Sequence, residues 1–209
     1  MPISPMLLRA AQSSDTAAMA NLLVQLYHVE RPTMLGGPRE GQNQLLQYIL
    51  EADHFAGLHG HYVVRLDDES LVATVGLRVA PDSLKVAFPE GTFRMAWGLL
   101  GPAHAVRMFT ALYWSMATPP PRLTPHQAYI YSVIVDEQYR GGGIGRFLME
   151  NIEDIAHRQG AQATLLGVMR NNHQARHFYT HLGYEEVYHD PHWKQYVGLP
   201  LITMRKVLR

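Results

Sequence analysis

One stretch constrains this chain more than any other: a buried-strand pattern runs straight into a glycine cluster and then into an amphipathic helix. Tyr129–Val135 is β-branched and aromatic almost throughout, the composition of a strand covered on both faces. Asp136–Arg140 follow, and then Gly141-Gly142-Gly143-Ile144-Gly145. Beyond the glycines, Ile144, Phe147, Leu148, Ile152, Ile155 and Ala156 recur on one helical face, with Glu150, Glu153 and Arg158 expected to point away. Gly160 ends the pattern, and Ala163–Met169 reads as the next strand. Strand, helix and strand over residues 129–169 require two parallel strands joined by a right-handed crossover, which places the chain in the α/β class.

A glycine-rich turn at the start of a helix exposes several backbone N–H groups at the positive end of the helix dipole. The ligand it suits is a phosphate or pyrophosphate, because glycine lets the backbone approach an anion closely. A magnesium-nucleotide loop would need Lys and Ser or Thr after its last glycine, whereas Arg146-Phe147 follow Gly145. A dinucleotide fingerprint would need a third glycine and an acidic residue after the next strand; that glycine is missing and Asn171-Asn172 follow instead. A plain tight turn is the alternative that this segment alone leaves open.

The rest of the chain supplies the frame. Met6–Arg9 reads as a first strand, and Ser13-Ser14-Asp15 offers cap oxygens ahead of a helix over about 15–28, where Met19, Leu22, Leu23 and Leu26 recur. Pro32, Gly36, Gly37, Pro38 and Gly41 mark a loop, with a second helix over Asn43–Ala52. Tyr62–Leu66 and Leu71–Val79 form a hairpin across Asp67–Ser70. A short helix over 173–182, closed by Gly183, and a last strand over Leu201–Leu208 complete the set.

Residues 80–125 read as an apolar helical insertion, ended by Pro119-Pro120-Pro121. Its apolar run, Met95–Ala117, is long enough to span a bilayer, but Pro102, His104 and Arg107 sit near the middle. A helix packed on the domain or on a second copy of the chain is expected, with the aromatics from Trp97 to Trp114 in a core or a homodimer interface.

Eighteen Lys and Arg balance eighteen Asp and Glu, which argues against a nucleic-acid binder with its basic surplus. Cysteine is absent, so disulfides, thiolate metal sites and a Cys nucleophile are excluded together. The opening residues carry two prolines and no long apolar run, so a cytoplasmic protein is expected. With 209 residues the expectation is one domain over 1–209.

At the glycine loop the sequence resembles the GNAT superfamily of N-acetyltransferases. That family's acyl-coenzyme A loop, Arg/Gln-x-x-Gly-x-Gly/Ala, is matched by Arg140-Gly141-Gly142-Gly143-Ile144-Gly145, preceded by Val135 and Tyr139. A second segment, Asn172-x-x-Ala175-x-x-Phe178-Tyr179-x-x-Leu182-Gly183-Tyr184, is similar to the family's Asn-x-x-Ala-x-x-Phe-Tyr run. The resemblance implies a mixed sheet of about six or seven strands whose parallel central pair splays around acetyl-CoA. It places the pyrophosphate on the N–H groups of Gly141–Arg146, the pantetheine arm along the backbone of Val133, Ile134 and Val135, and Asn172 near the cofactor. It implies acetyl transfer to an amine, with Tyr179 as the proton donor to the departing thiolate.

The proton acceptor departs from the family pattern. Gly167 stands where some members carry glutamate, and Tyr129 and Tyr131 stand where others carry histidine or an acid. A water chain lined by those tyrosines, His126, or Glu30 are the candidates. His173, His177 and His181 form a stripe opposite the apolar face of their helix, and His54, His59 and His61 cluster before the hairpin. Neither set completes a metal sphere, and no metal is expected. The expected function is N-acetylation of a small-molecule amine or a peptide N-terminus, shaped by residues 28–51 and 80–125; a non-catalytic acyl-CoA sensor is the alternative.

Overall fold

The computed structural model describes residues 5–32, 34–52, 58–80, 88–116, 123–191 and 200–208. Its centre is a mixed seven-stranded sheet. In chain order the strands are β1 (Leu7–Ala10), β2 (His61–Arg65), β3 (Leu71–Val79), β4 (Gln127–Val135), β5 (Ala163–Met169), β6 (Glu185–His189) and β7 (Leu201–Val207). They lie side by side as β1-β2-β3-β4-β5-β7-β6, and only β4 and β5 run parallel. The helices are α1 (Thr16–Glu30), α2 (Arg39–Ala52), α3 (Thr92–Leu100), α4 (Pro102–Met116), α5 (Ile144–Arg158) and α6 (His173–His181).

Two apolar cores sandwich the sheet. On one face α5 packs Leu148, Met149, Ile152 and Ala156 against Val64, Val75, Leu77, Ile130, Leu166 and Ile202. On the other, Met19, Leu22, Leu23 and Leu26 of α1 meet Leu45 and Leu46 of α2, Ala96 and Leu100 of α3, and Met108 of α4, with Val63 and Ile134 from the sheet.

The parallel pair separates partway along. Pairing of β4 with β5 runs from Gln127↔Ala163 to Ile130↔Leu166 and stops, although β4 continues to Val135 and β5 to Met169. A β-bulge lies where the strands part: Gly76 of β3 faces Tyr131 and Thr74 faces Ile134, so Ser132 and Val133 share the space opposite Val75. Ser132 adopts φ 50°, the left-handed conformation that turns the strand at this point. The splayed central pair expected from the resemblance is therefore present, with a bulge beside it.

Four expectations need correction. The apolar insertion is two helices, because Gly101 takes φ 83° and Pro102 opens a new helix. Among the described residues no helix is long and apolar enough to cross a membrane. Trp97 is 45% exposed, so of the two places expected for it, core or homodimer interface, the core is set aside; the side chain of Trp114, like Ala117 and Pro119–Pro121, lies outside the described residues. Asp15 is not the side-chain cap of α1: its carboxylate is buried and paired with Arg9 and Arg65, both at 2.7 Å. Glu153 does not point to water but is 6% exposed, bonded to the Tyr184 hydroxyl at 2.9 Å and to Lys206. In addition, α2 starts at Arg39 rather than Asn43, and β6 is a strand the sequence did not signal.

Candidate active site

The break in the β4–β5 ladder creates the site. Five backbone units of β4, Tyr131–Val135, have no β5 partner there, so an amide-bearing chain can pair with the strand edge. The glycine loop adjoins it. Gly141 and Gly143 take φ 82° and 84°, a conformation that side chains other than glycine rarely adopt, and Gly143 is the residue preceding the first turn of α5. Among the described residues the N–H groups of 141–146 make no backbone hydrogen bond; the first such bond runs from Phe147 N–H to the Gly143 carbonyl at 3.0 Å. Gly142, Ile144, Gly145 and Arg146 thus contribute free donors beside those of Gly141 and Gly143. The space around Gly141 is open to 4 Å. These features fit the pyrophosphate and arm of acetyl-CoA.

The loop is braced from three sides. Asp136 accepts hydrogen bonds from the Gln138 N–H and from the Gln25 side chain of α1, and Gln25 accepts from the Glu137 N–H. Arg140 donates its Nε–H to the Val135 carbonyl at 3.1 Å, folding its side chain back over the strand end. Arg146 is exposed and pairs with Glu150 at 3.6 Å. A Cβ on Gly145 would come within 3.3 Å of the Phe178 ring and 3.8 Å of the Val135 side chain. The two sequence motifs and the end of β4 therefore meet at one glycine. Gln25 is the bracing residue that sequence reasoning missed; a buried glutamine on an amphipathic helix carries no local signal of its distant partner.

α6 delivers Tyr179. Asn172 caps this helix, its side-chain oxygen accepting from the Ala175 N–H at 3.0 Å, which leaves its amide nitrogen for another partner. Tyr179 is 8% exposed, packed on Phe178 and edge-on to Tyr184. Burial raises its phenol above the ordinary tyrosine value, and nearby Glu30 and Tyr129 raise it further. Burial likewise raises the Glu30 carboxyl at the end of α1, with Arg31 acting in the opposite sense. Glu30, Tyr129 and Tyr179 thus share one electrostatic environment, although they come from three separate elements.

Tyr129 fills the place where a glutamate was sought. A Cβ on Gly167 would lie 2.8 Å from the Tyr129 hydroxyl, so a side chain there would displace the phenol from its present place. Tyr131 lies on the same sheet face as Tyr129, over Gly76 and edge-on to His61 at 5.2 Å. Burial pushes the Tyr131 phenol up to about 12, Arg78 opposing, and it lowers the His61 imidazole to about 4. His126 stands apart at the start of β4, where φ 64° and a contact to the Gly160 carbonyl give it a place in the turn. His173, His177 and His181 are exposed, His54 lies outside the described residues, and among those described no group of three or more His, Asp or Glu side chains is placed to hold a metal.

Comparison with known proteins bears on the family and the fold. The model of the acetyltransferase (GNAT) family matches residues 23–184. N-alpha-acetyltransferase 80 of Mus musculus is 38% identical over 61 residues, which take in 29% of this chain and only 18% of that relative's length. A crystal structure of an acetyltransferase superposes with a TM-score of 0.64 at 24% identity, covering 97% of this chain and 100% of the other. An N-acetyltransferase from Staphylococcus aureus Mu50 also reaches 0.64, at 14% identity with 96% and 100% covered. The acetyltransferase yncA of Salmonella typhimurium, solved with its cofactor acetyl-CoA, gives 0.55 at 17% identity with 99% and 95% covered. At these identities the solved structures speak to fold.

Proposed function

Because the chain belongs to the acetyltransferase (GNAT) family, we propose that it is an N-acetyltransferase that moves an acetyl group directly to a primary amine of a small molecule or a peptide N-terminus. The observation that carries this reading is the unpaired edge of β4 running into the free N–H groups at Gly141–Arg146, with the buried Tyr179 phenol alongside. Acetyl-CoA, when bound, supplies the activated acetyl thioester. The loop amides hold its pyrophosphate, and the backbone of Val133–Val135 aligns its arm as an added strand. Asn172 keeps its amide nitrogen for the cofactor.

Tyr179 keeps its proton through neutral pH and gives it to the departing thiolate. Burial disfavours the phenolate, so Tyr179 stays protonated until a thiolate develops beside it to take the proton. Glu30 accepts the proton lost by the amine, directly or through a water beside Tyr129, and its raised carboxyl suits that task. The segments 28–51 and 80–125 shape the acceptor pocket. The same reading places the protein in the cytoplasm and allows a homodimer through the exposed Phe93 and Trp97 of α3, which sedimentation velocity reads directly.

Tyr179→Phe is the test. The variant should keep the rise in melting temperature caused by acetyl-CoA and lose roughly 100-fold in turnover, measured as free thiol release. Unchanged turnover would remove Tyr179 from the mechanism. A wild type that binds acetyl-CoA and releases no thiol with any amine in a broad panel would be a sensor rather than an enzyme.

A further inference from the structure

Arg78 takes no part in the chemistry proposed above, and its buried Nε has no hydrogen-bond partner among the described residues. Among the described residues three arginines have a buried Nε without a hydrogen-bond partner: Arg65, Arg78 and Arg170. Arg65 is held by Asp15 and by the Glu69 carbonyl, and Arg170 by the Asp190 carbonyl. Arg78 alone of the three makes no hydrogen bond or ion pair among the described residues. It lies over the Tyr129 ring, with Cζ 5.5 Å from the centroid. Arginine stays charged at any working pH; Arg78 is half-buried with its Nε shielded from water, and its terminal N–H groups, unpaired among the described residues, remain available to an anion.

The position indicates which partner. Arg78 of β3 is the register partner of Tyr129 of β4, so the two side chains stand on the same face of the sheet. That face also carries Tyr131, and the Tyr129 hydroxyl overlies Gly167, next to where β4 and β5 separate. Tyr129 feels Arg78, Arg31, Glu30 and Asp190 together. Asp190 is already engaged, accepting from the Leu201 N–H. Arg31 donates to the Met34 sulfur and has no ion pair among the described residues. Among the described residues this part of the site thus holds Arg78 and Arg31 without an ion pair, and Glu30 close enough to act on the Tyr129 hydroxyl.

We propose that the acceptor amine carries a carboxylate, which docks on Arg78 beside the Tyr129 ring while the amine faces Glu30. The inference rests on the acetyltransferase reading above and names its substrate class. A guanidinium fork matches the edge of a carboxylate, and the ring beneath it fixes the plane of that fork.

The test uses the full chain with glycine, β-alanine and γ-aminobutyrate, each set against its carboxamide, and with aminoalkylphosphonates of the same lengths. Thiol release should favour at least one carboxylate over its carboxamide by about tenfold or more, as expected for a charge-assisted pair. Arg78→Gln should bring that ratio close to one, and Arg78→Lys should restore part of it. In the CoA-loaded protein, propionate or succinate should raise the melting temperature of the wild type, and Arg78→Gln should abolish that rise. Carboxamides used as well as carboxylates, or a preference that survives in Arg78→Gln, would overturn the proposal while leaving acetyl transfer intact. A preference for phosphonates would overturn the carboxylate in favour of a phosphoryl group. Failure of every amine, together with no melting shift from propionate or succinate, would overturn the proposal and the transfer reading together.

Discussion

Asp15 shows how far a single residue can depart from its local pattern. Ser13-Ser14-Asp15 ahead of an Ala/Leu-rich run has the composition of a helix cap, yet the carboxylate ties β1 to β2 through Arg9 and Arg65. Burial by itself would raise this carboxyl, but the hydrogen bonds from Arg9, Arg65 and the Gln12 N–H outweigh it and hold the group at about 2. A carboxylate held lower in the fold than in the open chain contributes fully above about pH 4, and the contribution disappears as pH falls toward 2. Asp15→Asn should therefore lower stability at neutral pH by about 2–3 kcal/mol and flatten the acid limb of the stability curve below pH 4. Urea melts across pH 2 to 7 check this; an acid limb identical in both proteins would show that the ion pairs contribute nothing. Neither arginine was legible as a partner, because Arg65 lies fifty positions away in the chain. Arg78 was equally silent, since its meaning depends on a register partner from another strand.

The elements were read more reliably than their ends. The hairpin strand Leu71–Val79, the strand Ala163–Met169 and the short helix after Asn172 fall where alternation, apolar runs and cap residues placed them. β6 escaped because Glu185–His189 is exposed along its whole length and is held as an edge strand by β7, with no apolar face to announce it. Glu153 misled the helical wheel for a related reason. A carboxylate is assigned to water unless its partners are known, and here the Tyr184 hydroxyl and Lys206 come from segments beyond the next strand. The group joins α5 to β7 under the Tyr184 ring, with Thr164 of β5 completing the set at 3.0 Å. Glu153→Ala should cost about 3 kcal/mol, since it leaves a lysine and a buried hydroxyl with fewer partners. Tyr184→Phe, which keeps the ring and the Lys206 pair, should cost about 1 kcal/mol. Thermal or urea unfolding separates the two; equal, small losses would mean that water replaces the network.

At the scale of the whole molecule, the glycine loop proposed to hold the cofactor was legible in the sequence, and the face proposed for the acceptor was not. Glycines at 141, 143 and 145 are demanded by backbone conformation or close approach, so they mark their positions in any reading of the chain. The parting of β4 from β5 lies beside the bulge at Ser132, which no residue type announces. The proposed acceptor side draws on the end of α1, the end of β3 and one face of β4. Glu30, Arg78 and Tyr129 gain their meaning only from tertiary contact. Acetyl-CoA binding as proposed rests on one physical feature: the left-handed glycines turn the backbone amides of 141–146 toward a ligand phosphate. Calorimetric titration of acetyl-CoA into the wild type and into Gly143→Ala tests it most directly. The wild type should give saturable one-site binding, and the variant, strained at φ 84°, should bind about tenfold more weakly or worse. No heat from the wild type at millimolar acetyl-CoA, or equal affinity in both proteins, would contradict the claim.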